Sequence, residues 1–199
     1  MNIPKPYLIF IFLTSLSSFF GCSGKSEREK ENEKSTQTSL KEENPYMEMR
    51  EAALTVTPEQ LGIDISEDST FVYGIVMDWE IDDSTIATIV SFKTGDASLY
   101  LSSGGGIIGG GQHDSANIAS KKFVELGNNY IAEEVPVAKT TLPIKNEILF
   151  YILTNKGVFI KHEEMINFEN NSSSLLPLFN QGNIVLSELR KISDSNYSE

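Results

Sequence analysis

Three β-rich segments follow one another with very short connections, and this arrangement restricts the possible folds more than any other feature. The segments are Ser69–Ile81, Thr85–Phe92 and Ala97–Ser102, and each is rich in the β-branched and aromatic residues that favour strands. Only three or four residues connect consecutive segments, whereas parallel neighbours need a crossover of a dozen or more. The sequence therefore predicts an antiparallel three-strand meander.

The first of these segments alternates between two kinds of side chain. Successive side chains point to opposite faces of this strand. One face begins with apolar side chains and then becomes acidic at Asp78, Glu80 and Asp82, and Asp83 follows directly. Alternation places the first three carboxylates on one side of the strand, about 6 to 7 Å apart, which favours a solvated sheet edge that discourages edge pairing. Weak calcium binding is the second interpretation. Apolar and aromatic residues of the segment are predicted to share the other face: Phe71, Tyr73, Ile75, Met77, Trp79 and Ile81.

Two helices and a second hairpin follow the meander. The segment from His113 to Glu134 has apolar residues at steps of three and four, with Asp114 or Ser115 as the cap. The segment Glu147–Glu163 reads as a hairpin that turns at 155–157. The last helix is predicted to be capped by Ser173 or Ser174, to carry Pro177 in its first turn and to bury Leu178, Val185, Leu189 and Ile192.

These elements predict an α+β domain. Its order is a three-strand meander, a helix, a hairpin and a helix, with a further short helix near Thr57–Leu61, where Pro58 suits the opening position. An antiparallel sheet of about five strands with helices packed on one face is the most economical arrangement of this order.

The first 22 residues have the layout of a secretory signal. One lysine precedes an apolar run from Tyr7 to Phe20, and Gly21 and Cys22 follow. The run is shorter than the ~20 residues that a membrane-spanning helix needs. Cys22 is the only cysteine, so it forms no disulfide within the chain. If Cys22 has no special role, residues 1–22 are an ordinary cleaved signal or an uncleaved anchor.

The residues "SFFGC" resemble the lipobox of bacterial lipoproteins. In that family the signal is cleaved before the cysteine, and the cysteine sulfur is then lipid-modified, for example with palmitate. Gly21 and Cys22 match the pattern, whereas Phe19 stands where leucine is usual. The resemblance implies a signal peptide at residues 1–21, a membrane anchor through the lipid on Cys22 and a location in the cell envelope. In a Gram-negative cell it implies the outer membrane, on its periplasmic or surface face.

A charged segment separates Cys22 from the domain. Ser23–Asn44 holds five basic and six acidic residues, with Leu40 as its one large apolar side chain. It lacks the apolar surface that would offset the ordering of its backbone. We therefore predict that residues 22–44 are the lipidated cysteine and a disordered tether, with a helix as the alternative for this segment.

Residues 45–199 are predicted to form a single globular domain. They carry ten basic and 22 acidic side chains, a net charge of −12. Such a surface repels nucleic acid and anionic lipid headgroups. We therefore expect no nucleic-acid partner.

The most unusual stretch is "SSGGGIIGGGQHD", residues 102–114. Gly104, Gly106 and Gly109 match the spacing of a dinucleotide-binding turn, but that site needs a parallel sheet and a helix that begins within the glycines. The favoured interpretation is that the glycines permit positive φ and close packing, with Ile107 and Ile108 inserted into the core. The second interpretation is a backbone-lined loop for a neutral or peptide ligand, formed by Gly104, Gly105, Gly106, Gly109, Gly110 and His113.

Neither histidine belongs to a recognisable metal or catalytic motif. His162 lies in the second hairpin beside charged residues, so we expect it to be solvated. His113, Asp114 and Ser115 are the three residue types of a nucleophilic triad, but adjacent side chains in a loop align poorly as a relay. The sequence therefore predicts no catalytic residue, no metal site and no cofactor.

The stretch 94–113, together with "VYGIVMDW" and "LFYILTNKG", resembles uncharacterised bacterial proteins of this length, over Leu54–Lys191. This resemblance implies that the chain contains a domain of the same type as those proteins, and it implies no activity for that domain. We therefore expect a lipid-anchored envelope lipoprotein whose domain binds a protein or glycan partner. A hydrolase or transferase that uses the glycine-rich loop and His113 is the alternative, and a purely architectural envelope protein is the third possibility.

Overall fold

The computed structural model describes residues 45–64, 69–82, 84–131 and 136–196. The predicted signal, Cys22 and the predicted tether lie outside these residues. No helix in the described part of the chain combines the length and the apolar composition that a bilayer span requires.

The described residues form one antiparallel sheet and four helices. In chain order the elements are α1 Pro45–Thr55, β1 Val72–Asp82, β2 Thr85–Phe92, β3 Ala97–Leu101, β4 Gly106–Ile107, α2 Asp114–Gly127, β5 Glu147–Thr154, β6 Gly157–Glu164, α3 Met165–Glu169 and α4 Leu176–Asn196. The strand order is β4-β3-β2-β1-β5-β6. This α+β architecture confirms the predicted class, with six strands instead of about five because part of the glycine-rich segment forms β4.

One face of the sheet packs against α2 and α4. Ile75, Met77, Ile89 and Phe150 are inaccessible to solvent there, as is Phe123 of α2. The predicted stripe of α4 is confirmed at Leu178, Val185 and Leu189, which are fully buried, while Ile192 is half-buried. The helix also continues through Gly182, where an added Cβ would lie 2.8 Å from the Met77 sulfur. The absence of a side chain at this position therefore allows α4 to approach β1 closely.

The opposite face is covered by α1, which the sequence analysis did not predict. Ala53 and Leu54 pack there with Val76, Val90 and Tyr151. The short helix predicted near Thr57–Leu61 was wrong, since residues 58–62 form a turn after α1 has ended. Helices therefore lie on both faces of the sheet. The prediction that all helices pack on one face holds for α2 and α4 and not for α1.

A bulge in β1 changes the predicted alternation. Val72 pairs with Thr154 and Gly74 with Leu153, so one extra residue of β1 is inserted at Tyr73. As a result Tyr73 lies on the α1 face, whereas Ile75, Met77 and Trp79 lie on the face of α2 and α4. The prediction that Phe71 and Tyr73 share a face with Ile75 was therefore wrong.

Candidate ligand-binding cleft

The first group of glycines forms the turn between β3 and β4. The Leu101 N–H donates to Gly105 O at 3.2 Å, and the Gly104 N–H donates to Leu101 O at 2.9 Å. Gly104, Gly105 and Gly106 have φ values of 100°, 82° and 151°, which side chains with a Cβ rarely adopt. An added Cβ at Gly106 would lie 2.2 Å from Leu99 O. These glycines therefore determine the shape of the hairpin.

The second group of glycines packs the chain against β3 and α4. An added Cβ at Gly110 would lie 2.2 Å from Leu189 Cδ2, and one at Gly111 would lie 2.4 Å from Gly95 O. Gly109 has a φ of 75° and precedes a short 3₁₀ turn at Gly110–Gln112. The favoured interpretation, positive φ and close packing, is thus confirmed. The insertion of Ile108 was wrong, because that side chain is 73 % exposed, whereas Ile107 is half-buried against the core.

Beside this hairpin lies a cleft between the sheet and the C-terminal half of α4. We call the two adjoining cavities, of about 650 and 440 Å³, the hairpin cleft. The floor of the larger cavity is a row of three apolar side chains, one from each of β1, β2 and β3. Trp79 of β1 lies opposite Ala87 of β2, which lies opposite Leu101 of β3. Trp79 also packs edge-on against Phe179 of α4, with ring centroids 5.7 Å apart. The floor is therefore apolar.

One wall of the larger cavity is a mainly polar stripe of α4. Asn183, Ser187, Arg190 and Asp194 line it at steps of four, three and four residues, which is the spacing of one helix face. Leu186 adds an apolar contact beside them. Ser187 and Arg190 are exposed, and among the described residues Arg190 forms no ion pair. The hairpin cleft thus combines an apolar floor with hydrogen-bonding groups on one side.

The smaller cavity contains most of the glycine-loop residues that the sequence analysis selected. Gly106, Gly109, Gly110 and His113 line it, together with Gln112, Ile192 and Ser193. Gly104 and Gly105 do not line either cavity of the hairpin cleft, since they form the tip of the turn. Gly106, Ile107 and Ser193 line both cavities, so the two adjoin each other beside the hairpin.

His113 stands immediately before α2. Its N–H donates to Gly110 O at 3.0 Å, and its carbonyl accepts from the Asn117 N–H at 2.9 Å. Among the described residues no hydrogen bond joins its ring to a serine. The predicted cap at Asp114 or Ser115 was wrong, because His113 occupies the N-cap position without a side-chain cap bond. Ser115 instead contacts α4, where its side chain hydrogen-bonds to Glu188. The pKa of Glu188 is lowered, mainly by a hydrogen bond from Lys191 and secondly by the one from Ser115.

His162 lies on β6, far along the chain from the glycine hairpin. Its ring is 70 % exposed, and Nδ1 lies 3.1 Å from Oε1 of Glu147. The prediction of a solvated side chain is confirmed. His162 does not line the hairpin cleft.

The acidic residues of β1 do not form the predicted solvated row. Asp78 is inaccessible to solvent, and its Oδ2 lies 2.6 Å from Nη2 and 2.7 Å from Nε of the buried Arg50. Thr88 donates to Oδ1 of Asp78 at 2.6 Å. Burial raises the pKa of Asp78, while Arg50 and Thr88 oppose this shift. The solvated-edge interpretation is therefore wrong for Asp78.

The other two carboxylates of β1 accept hydrogen bonds from neighbouring backbone. Glu80 accepts from the Asn146 N–H at 3.2 Å. Asp82 accepts from the N–H groups of Ser84 and Thr85, both at 2.9 Å, in the β1–β2 turn. Within residues 45–64, 69–82, 84–131 and 136–196 no three histidine or carboxylate side chains are grouped so that they could hold a metal ion. The described residues thus give no support to the calcium interpretation.

Sequence reasoning missed the floor and the helical wall of the cleft. Trp79 was predicted only to share a strand face with other apolar residues, and the polar residues of α4 were outside that helix's predicted apolar stripe. The one signal in the sequence was the step of four, three and four from Asn183 to Asp194, which is typical of any solvated helix face. The chain was compared with protein-family models, with curated proteins and with solved structures, and none of the three comparisons found a match.

Proposed function

We propose that this chain is a lipid-anchored protein of the cell envelope whose domain binds a protein or glycan partner in the hairpin cleft. In this proposal Cys22 carries the lipid and residues 23–44 hold the domain away from the bilayer. At the dimensions of a flexible coil the tether spans roughly 25 Å. Each lipid methylene that enters the bilayer contributes about 0.8 kcal/mol, so two or three acyl chains hold the domain stably.

The sequence supports the anchor, because a lone cysteine directly follows a short apolar run. The test is to replace Cys22 with serine and to fractionate the cells. We expect the Cys22→Ser chain to leave the membrane fraction, while a Ser23→Ala control remains there with its fatty acid detectable by mass spectrometry. Full membrane association of the Cys22→Ser chain would contradict the anchor.

The observation that carries the binding role is the composition of the hairpin cleft. Its larger cavity, about 650 Å³, falls within the range of roughly 300 to 1,000 Å³ that is usual for ligand sites. An apolar floor at Trp79 and Leu101 faces hydrogen-bonding groups of Asn183 and Arg190. This combination suits a ligand that presents an apolar side and a polar side at once.

A matched pair of variants at Ser187 tests this role. The side chain is exposed and lines the cleft, so Ser187→Trp fills the cavity without disturbing the core, whereas Ser187→Ala leaves it open. We expect a partner captured stoichiometrically from detergent-solubilised envelope to be retained by Ser187→Ala and lost by Ser187→Trp. Equal capture by both variants would place the binding surface elsewhere.

A hydrolase or transferase role is the second candidate, favoured by one observation: His113 and Ser193 line the same cavity. An imidazole and a hydroxyl in one cavity are the groups that nucleophilic catalysis uses. A turnover that is lost in His113→Ala, with the fold intact, would support this candidate against a purely binding role.

A further inference from the structure

Exposed apolar side chains are concentrated at the end of the sheet where β1 finishes and β5 begins. Of the nine large apolar side chains that are exposed in the described part of the chain, four lie there: Ile81, Leu142, Ile144 and Ile166. We call these four side chains the apolar end. Asn146 connects the segments that carry them. Its N–H donates to Glu80, the neighbour of Ile81, and its carbonyl accepts from the N–H of Met165, the neighbour of Ile166.

Ile144 is the most exposed of the four side chains, at 72 %. Its backbone is held in place by Glu147: the Ile144 N–H donates to Oε2 at 3.1 Å, and the Glu147 N–H donates to Ile144 O at 3.0 Å. Pro143 restricts the backbone directly before it. A fixed turn therefore presents this apolar side chain to the outside. Clustered apolar side chains on a surface mark an interaction site.

The chain enters the domain from the side of the apolar end. Arg50 of α1 donates to the carbonyl of Thr141, directly before Leu142. After the other end of α1, Val56 accepts a hydrogen bond from the hydroxyl of Tyr73, near the start of β1. α1 therefore runs from the apolar end toward the opposite end of the sheet, and the proposed tether joins its first residue.

We propose that the apolar end docks on the lipid bilayer, with Ile144 and Leu142 in contact with the acyl chains, an inference that rests on the proposed function. The extended tether holds the domain away from the bilayer, and docking gives the domain a second position at the lipid surface. A short flexible tether keeps the domain at an effective concentration in the millimolar range. Apolar side chains with only a weak affinity for lipid therefore suffice for docking.

Charge indicates which lipid the apolar end favours. Lys139 and Lys145 are exposed on either side of the turn that carries Ile144, and Asp82 and Glu164 are exposed at the same end. These charges offset one another, whereas residues 45–199 as a whole have a net charge of −12, which anionic headgroups repel. We therefore expect docking on zwitterionic lipid to be stronger than on anionic lipid, and moderate salt to leave the zwitterionic case unchanged.

The test adds one tryptophan to the full-length chain, which is purified from membranes and bound to preformed phosphatidylcholine vesicles with brominated acyl chains. Ile144→Trp is compared with Ile118→Trp, because Ile118 is also exposed, at 54 %, but lies on α2. Nearby, Ser120 donates to Asp96 O in the turn at the opposite end of the sheet. Trp79, the only native tryptophan, contributes the same background to both variants.

Bromine atoms quench tryptophan fluorescence only at short range. We expect Ile144→Trp to lose most of its added fluorescence in these vesicles and, in unbrominated ones, to shift its emission to shorter wavelength. Ile118→Trp should show neither change. Phosphatidylglycerol vesicles should quench Ile144→Trp less than phosphatidylcholine vesicles do.

The outcomes separate this inference from the proposed function. If the chain carries its lipid and stays with the vesicles, but the two variants are quenched equally or not at all, docking is overturned and the anchor stands. If the chain carries no lipid and leaves the vesicles, both proposals fail. Quenching only in phosphatidylglycerol would overturn the apolar basis of docking. Self-association of the Cys22→Ser chain that Ile144→Ser abolishes would assign the apolar end to a second copy, and would also overturn the inference.

Discussion

At the scale of single residues, the ion pair of Asp78 and Arg50 fastens α1 to the sheet. Both side chains are almost fully buried, and Arg50 Nη2 also donates to the carbonyl of Thr141 at 2.6 Å. The Arg50 guanidinium lies 5.1 Å from the ring centroid of Tyr151, whose hydroxyl donates to the same carbonyl. The pair thus joins α1, β1, β5 and the segment that precedes β5.

Removing one partner of this pair should destabilise the fold strongly. Asp78→Ala leaves the Arg50 charge buried without its carboxylate, a change that typically costs about 3 to 5 kcal/mol. The double variant Arg50→Met, Asp78→Leu removes both charges, and we expect it to recover much of that loss. Urea unfolding of the three proteins measures the effect. A single variant that is as stable as the double variant would show that the charge is solvated after all.

Tyr46 gives the fold a dependence on alkaline pH. Its hydroxyl lies 2.8 Å from Oγ1 of Thr88, and since Thr88 donates its proton to Asp78, Tyr46 donates to Thr88. Burial, and then the charge of Asp78, raise the pKa of Tyr46 to about 12. The folded chain therefore keeps this proton at pH values where the unfolded chain, with an ordinary pKa near 10, has lost it.

The sign of the effect follows from this difference in bound protons. The contribution of Tyr46 is complete below about pH 10 and is lost as pH rises toward about 12. Tyr46→Phe costs about 1 kcal/mol at neutral pH through the lost hydrogen bond, and it also removes the titration. The difference in unfolding free energy between wild type and Tyr46→Phe should therefore shrink as the pH is raised. A difference that stays constant across this range would contradict the assigned pKa.

The burial of Asp78 also shows what alternation in a sequence leaves open. Asp78, Glu80 and Asp82 fit the pattern of a solvated face, and the two at the end of β1 do lie at the surface or half-buried. Asp78 differs because Arg50, 28 residues earlier in the chain, pairs with it. No periodicity within β1 carries information about a partner on another element.

At the scale of elements, local patterns predicted both hairpins because short turns leave few alternatives. The turn at Asn155–Lys156 joins β5 and β6 where the sequence indicated. The bulge at Tyr73 was not predictable, since it depends on how β1 meets β5. β4 was missed because glycine has low strand propensity, and here the hairpin geometry overrides that propensity.

Two glycines of the β3–β4 hairpin should respond differently to substitution. At Gly106 an added Cβ would lie 2.2 Å from Leu99 O, whereas at Gly104 nothing lies within 4 Å. Gly104→Ala therefore carries only the strain of a positive φ, about 1 kcal/mol or somewhat more. Gly106→Ala adds a backbone clash and should be the more destabilising of the two. Thermal unfolding and hydrogen exchange at the Leu101 amide measure the difference, and equal effects would contradict the described hairpin.

At the scale of the whole molecule, the cleft depends on contacts between distant parts of the chain. Sequence reasoning selected Gly106, Gly109, Gly110 and His113, all of which line it. It did not place Trp79 or Arg190 there, because that requires the position of α4 over the sheet. The glycines stood out by composition, whereas the opposing wall resembles an ordinary helix surface.

The two-sided covering of the sheet leads to a prediction about truncation. Lys41–Glu199 forms one compact unit, and α1 is the part of it that shields Val76, Val90 and Tyr151. A fragment that begins at Thr57 lacks α1, so it exposes this apolar face and breaks the buried ion pair of Asp78 by removing Arg50. Each of these defects is a recognised cause of large destabilisation.

We therefore expect two fragments of the chain to behave differently. The fragment 41–199 should unfold cooperatively in urea at the same midpoint as the Cys22→Ser chain, since it keeps every contact of α1 described above. The fragment 57–199 should aggregate or lose its near-ultraviolet circular dichroism, because its exposed sheet face has no helix to cover it. If the fragment 57–199 were as stable as the fragment 41–199, α1 would be an appendage, and the ion pair between Arg50 and Asp78 would not hold the fold together.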